Sequence, residues 1–172
     1  DNCVISSGAV IGSEGFGNAR DENKKWNSIA HIGNVSIGNN VSIGANTSID
    51  RGSIASTEIG NGVKIDNLVH IAHNVIIGED TAIAAKTGIA GSTIIGKRCM
   101  IGGAVGIVGH LKITDDVVIN ATSTVNKNIM KSGVYTSFMP IMPHTDWKKV
   151  GLWITKLDKI ANFMKIKLRN IR

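Results

Sequence analysis

Isoleucine returns at every sixth position from Ile59 to Ile119 without a miss, and Val125 extends the series. The same column stands earlier as Ile37, Ile43 and Ile49, and before that as Ile5 and Ile11. A period of six fits neither an amphipathic helix nor a heptad seam. It fits a solenoid in which each hexad is one short strand and one corner. Three hexads then close a triangular coil of about 18 residues, and each isoleucine stacks on the axis of the prism against the one a coil away, at roughly 4.8 Å per coil.

Composition agrees with that reading. The 27 isoleucines outnumber the 3 Phe, 3 Trp and 1 Tyr, so the core is filled by β-branched aliphatics, which favour strands. With 20 glycines and only 2 prolines the chain turns often, on permissive residues. Gly, Ala or Asp usually follows the isoleucine, as at Gly60, Asp66, Ala72 and Gly78. A small or β-branched residue comes four after it, as at Val63, Val69, Val75, Thr81 and Cys99.

Two stretches break the period. Four extra residues lie between Ile49 and Ile59, around Arg51 to Ser56, and a longer insertion spans about 13–31, holding Gly15, Phe16, Gly17 and Trp26. The expected domains are 1–139 for the solenoid and 140–172 for a helical extension. Pro140 and Pro143 end the β pattern, Thr145 with Asp146 starts a helix, and Val150, Ile154, Leu157, Ala161, Met164, Leu168 and Ile171 are spaced as a coiled-coil seam. All of the net charge of +6 lies in this tail, where Lys and Arg outnumber Asp and Glu by 8 to 2. No base-reading or aromatic-stacking pattern accompanies the charge, so nucleic acid is not expected as a partner.

Cys3 and Cys99 are too few for a disulfide scaffold or a cysteine-held zinc, and a reducing cytoplasm fits best. No apolar run is long enough for a transmembrane segment, and no signal pattern opens the chain. Since the β pattern is already running at Val4, the chain reads as the C-terminal part of a longer protein.

In a repeat, functional residues show as departures from it. His73 falls two after Ile71, at a corner or an outer position, with His70, Asp66, Asn67 and Asn74 within one and a half hexads. One coil on is Gly91, and two coils on is Gly109 with His110 beside it. An imidazole next to a backbone N–H that glycine leaves open is what acyl transfer needs, a base for the nucleophile and a donor for the oxyanion. A zinc site built from His70, His73 and His110 is the weaker alternative. His31 and His144 have no such context and are expected on the surface.

These residues carry a resemblance. Ile49-Asp50-Arg51-Gly52, Ile65-Asp66-Asn67 with Ile71-Ala72-His73-Asn74, Val108-Gly109-His110, and Gly133-Val134-Tyr135 leading to Pro140 together resemble the UDP-3-O-acylglucosamine N-acyltransferases of lipid A biosynthesis. The resemblance implies an all-β solenoid, the left-handed parallel β-helix of hexapeptide acyltransferases, here with the C-terminal α-helical extension. It implies a homotrimer with active sites between neighbouring β-helices. The reaction it implies moves a 3-hydroxyacyl group from acyl carrier protein to the 2-amine of a UDP-linked 3-O-acylglucosamine, with no cofactor beyond the carrier's phosphopantetheine and no metal. His73 matches the family's base, Gly91 its oxyanion donor and His110 a second active-site histidine. Asp66 and Asn67 match substrate-binding positions, and Asn74 and Lys127 fall where the family contacts the pantetheine arm. The chain departs from the family in Lys127, where arginine is common, in Glu14, where aspartate is common, and in Phe138, which replaces a glycine. The family's N-terminal uridine-binding domain is not found in these residues, which leaves a catalytically silent trimeric scaffold as the rival reading.

Overall fold

The computed structural model describes residues 1–164, and the chain divides into two compact units between Phe138 and Met139. The first unit is a left-handed parallel β-helix. Strands of two to four residues fall in turn on three parallel sheets of seven, six and five strands. The first sheet includes Lys64–Ile65 and Ala82–Ile83, the second His70–Ile71 and Gly88–Ile89, and the third Ile76–Ile77 and Ile94–Ile95.

The register is the one the isoleucine column predicts. Ile71 pairs with Ile89, Ile89 with Ile107 and Ile107 with Val125 on the second sheet, while Ile59, Ile77, Ile95 and Ile113 stack on the third. From Ile43 to Ile119 these side chains are buried. The column fails at its N-terminal end, where Ile5 is exposed and Ile11 and Ile37 are only partly covered.

From Val63 to Val105 the residue four after each isoleucine of the column forms a second buried column. Its threonines stay satisfied by donating across the corner: Thr81 Oγ1 to the Gly96 carbonyl, Thr87 to Gly102 and Thr93 to Val108, at 2.9, 2.9 and 3.1 Å. Cys99 belongs to this column, and burial pushes its thiol up from the ordinary range. The corners close with one left-handed residue per hexad: every sixth residue from Gly62 to Thr122 has φ between 54° and 71°. Leu68, Lys86 and Arg98 hold this conformation without the relief that glycine gives, at about 1–2 kcal/mol each, so coil stacking imposes the turn.

The insertion forms an antiparallel hairpin, Asn18–Arg20 against Trp26–Ser28, with the Arg20 guanidinium 5.0 Å from the centre of the Trp26 ring. Asp21 closes its turn by accepting from the N–H groups of Lys25 and Asn23, both at 2.9 Å. The Lys25 N–H in particular holds its carboxyl below the ordinary carboxylate range.

The second unit contains α1, His144–Ile154, and α2, Leu157–Phe163. This corrects the single seam expected from the spacing. The helix breaks at Thr155 and Lys156, where the Thr155 and Lys156 N–H groups turn back to the Gly151 and Trp153 carbonyls, so Ile154 and Leu157 do not follow one another on one helix. Neither helix has a buried residue, and Leu168 and Ile171 lie outside the described residues. No helix among the described residues is long and apolar enough to cross a membrane.

Candidate active site

Both interruptions of the repeat converge on His73. The hexad places this residue at the corner between the second and third sheets, half-buried, one coil from Gly91. The four-residue bulge brings Ser53 against the neighbouring Asn74, whose Oδ1 accepts from the Ser53 N–H at 3.0 Å and the Ser53 hydroxyl at 2.9 Å. The Asn74 N–H in turn donates to Thr57 Oγ1 at 2.9 Å.

That geometry fixes the histidine's tautomer. A backbone N–H can only donate, so the Asn74 atom facing Ser53 is the oxygen, and the same oxygen lies 3.0 Å from His73 Nδ1. In the neutral ring Nδ1 therefore carries the proton and Nε2 holds the free lone pair. Nε2 lies over Gly91: a Cβ added there would stand 2.7 Å from both Nε2 and Cε1 of His73. Any side chain at residue 91 would displace the imidazole. The Gly91 carbonyl accepts from the His110 N–H at 2.9 Å, whereas the Gly91 N–H finds no acceptor among the described residues.

The hairpin supplies the other wall. His31 is 4 % exposed, which corrects its expected place on the surface, and its ring stands edge-on to that of His73 with centroids 5.2 Å apart. The sequence period could not locate it, because His31 sits in the insertion, where the hexad count is lost.

From His73 a shallow groove of about 620 Å³ runs across the second sheet. Its floor follows the residue before each isoleucine: His70, Gly88, Gly106 and Thr124, in register on successive strands. A Cβ at Gly88 or Gly106 would meet nothing within 4 Å, so the two glycines leave a bare track between His70 and Thr124. Phe16 overhangs the groove from the hairpin's base. At its head His70 Nε2 lies 3.6 Å from a carboxylate oxygen of buried Asp50, whose other oxygen accepts from the Ser13 hydroxyl at 2.8 Å. Gly88 and Gly106 were findable in sequence, as glycines one coil apart in the column before the isoleucines; Ser53, in the bulge, was not.

The remaining candidate residues are distributed as follows. Lys127 follows strand Thr124–Val125 on the corner of His73, Gly91 and Gly109, but it lines a separate space with Met130 and Tyr135. His110 is exposed one position beyond that corner column, in the left-handed position that Asn74 occupies two coils earlier. The side chain of Asn74 is engaged within the wall. Asp66 and Asn67 stand on a different corner, between the first and second sheets. There they tie successive coils, Asp66 Oδ2 accepting from the Ala85 N–H and Asn67 Oδ1 from the Ala45 N–H. Among the described residues no three His, Cys, Asp or Glu side chains come together as a metal would require.

Comparison with known proteins bears on the fold and the family. Residues 56–91 match the bacterial transferase hexapeptide family of six repeats. UDP-3-O-acylglucosamine N-acyltransferase from Vesicomyosocius okutanii is 64% identical over 163 residues, which are 95% of this chain and 49% of that protein. The enzyme of the same name from Coxiella burnetii is 47% identical over 165 residues, 96% of this chain and 48% of that protein. The chain is a homologue of these acyltransferases. It spans about half the length of the curated relatives it matches. The crystal structure of an Arabidopsis UDP-N-acetylglucosamine acyltransferase superposes with a TM-score of 0.69 at 21% identity, covering 99% of this chain and 60% of that one, and shares its fold.

Proposed function

We propose that the chain carries the acyl-transferring part of a UDP-3-O-acylglucosamine N-acyltransferase, an acyl-carrier-dependent enzyme of lipid A biosynthesis acting in the cytoplasm. The observation that carries this reading is the His73 ring, its proton held on Nδ1 by Asn74 and its free Nε2 set against the bare Cα of Gly91, whose N–H finds no acceptor among the described residues. The 2-amine of the UDP-linked sugar attacks the thioester carbonyl of a 3-hydroxyacyl group on the carrier's phosphopantetheine. Nε2 takes the amine proton as the C–N bond forms, and the Gly91 N–H supports the developing oxyanion. The C–S bond then breaks, and the thiolate leaves with the proton from His73. The glycine-floored groove offers an unobstructed bed for the acyl chain. Beyond the phosphopantetheine no cofactor takes part.

Asp66 and Asn67 favour a homotrimer in this reading. On a corner other than that of His73, they reach the reacting sugar from a neighbouring copy packed against the groove. Lys127, three coils along the corner from His73 and outside the groove, contacts the distal part of the phosphopantetheine arm in this reading, and exposed His110 takes part in binding substrate. Asn74 contributes through its hold on the base.

The test is direct. Intact protein, incubated with 3-hydroxyacyl-carrier thioester and UDP-3-O-acylglucosamine, should form the amide, detected by mass spectrometry. A trimeric mass by light scattering should accompany it. Absence of amide from the wild-type protein would overturn the reading in favour of a silent scaffold.

A further inference from the structure

His31 has no assigned part in the chemistry above, yet the base of the hairpin is built around it. Its ring is buried, with Nδ1 donating to the Ile29 carbonyl at 3.1 Å. Burying a polar ring is costly, and a core position would be filled more cheaply by an aliphatic residue. Two glycines make room for it. A Cβ at Gly17 would overlap the His31 ring, and one at Gly15 would stand 3.1 Å from His73 Cβ and 3.2 Å from His31 Nε2. The hairpin therefore admits the two rings together and excludes other side chains from the space between them.

The contact answers a mechanical need of the base. Asn74 holds His73 at Nδ1 alone, and an imidazole fixed at one atom can still rock about its Cβ–Cγ bond. Gly91 has no side chain with which to stop it. The edge-to-face contact with His31, at 5.2 Å and 62°, is the one ring contact to His73 among the described residues.

We propose that His31 is a positioning residue, a ring clamp that the hairpin sets against His73 to keep Nε2 beside Gly91. The effect on rate rests on the acyl-transfer reading; the clamp itself rests on the geometry of the two rings.

The experiment compares intact wild-type protein with His31→Ala, which removes the ring, and His31→Phe, which restores an edge without the imidazole. In transfer assays His31→Ala should lower kcat by roughly 10- to 100-fold, the scale of a small misplacement of a reacting group, while KM changes little. His31→Phe should recover most of the loss. In ¹⁵N-histidine spectra the wild-type His73 should hold a single tautomer with its proton on Nδ1, and His31→Ala should show exchange between tautomers. A His31→Ala protein with unchanged His73 resonances and kcat within twofold of wild type would overturn the clamp. The spectra decide on the clamp by themselves: tautomer exchange in His31→Ala beside a wild type that transfers no acyl group would uphold it and count against the acyl-transfer reading alone.

Discussion

On the proposed function, Gly91 is where the chemistry and the packing demand the same residue. A single methyl there would lie 2.7 Å from the Nε2 and Cε1 of His73, far inside van der Waals contact, and the ring is the softer of the two neighbours. Gly91→Ala should therefore leave the coil intact and swing the imidazole away, lowering kcat by about 10²-fold. A melting curve alongside the transfer assay separates this from unfolding, and wild-type turnover in Gly91→Ala would remove Gly91 from the site. The sequence made His73 and Gly91 legible because both stand in the hexad, where residues a coil apart are neighbours by count. It put His31 on the surface and left Ser53 unplaced because both lie in breaks, where position is set by hairpin and bulge hydrogen bonds that no period encodes.

At the scale of elements, coils are tied on the outside by charges stacked one coil apart. Arg98 grips Asp116 through Nε and Nη2, both at 2.8 Å, and Lys97 meets Glu79 at 2.8 Å. The Arg98 hydrogen bonds hold the Asp116 carboxyl below the ordinary carboxylate range, and Lys97 does the same for Glu79. A carboxyl depressed in the folded state stabilises the fold above its unfolded pKa, and the stabilisation is lost as pH falls through the folded value. These side chains stand at the surface, about half exposed, so the effect is small and screened by salt. Asp116→Asn should melt slightly below wild type at neutral pH in low salt, with the difference closing as pH falls below the ordinary carboxylate range. A difference that persists undiminished in acid would mean that the corner is held by something other than the ion pair. The tail shows the converse of the repeat's legibility. Its apolar spacing was continuous in sequence, but the chain turns at Thr155–Lys156 and divides it, a backbone turn that the spacing of apolar residues does not encode.

For the whole molecule, charge is segregated: the solenoid is balanced and the tail holds the surplus of +6. Lys156 and Lys159 are exposed, and Lys165 lies outside the described residues. The donor in the proposed function, acyl carrier protein, is strongly acidic, and a basic cluster raises the association rate of such a partner in a salt-dependent way. Reversing Lys156, Lys159 and Lys165 to glutamate should slow association with the carrier in surface plasmon resonance and flatten its salt dependence. Unchanged association at low ionic strength would place the docking elsewhere on the molecule.

On the proposed function, the repeat, its two interruptions and its glycines together make one histidine into the base of an acyl transfer. Turnover of carrier thioester by wild type and by His73→Ala, in the intact protein with melting temperatures measured alongside, tests it most directly. The expected result is a fall of about 10²–10⁴ in kcat with the fold preserved. A His73→Ala protein that transfers the acyl group at the wild-type rate would contradict it.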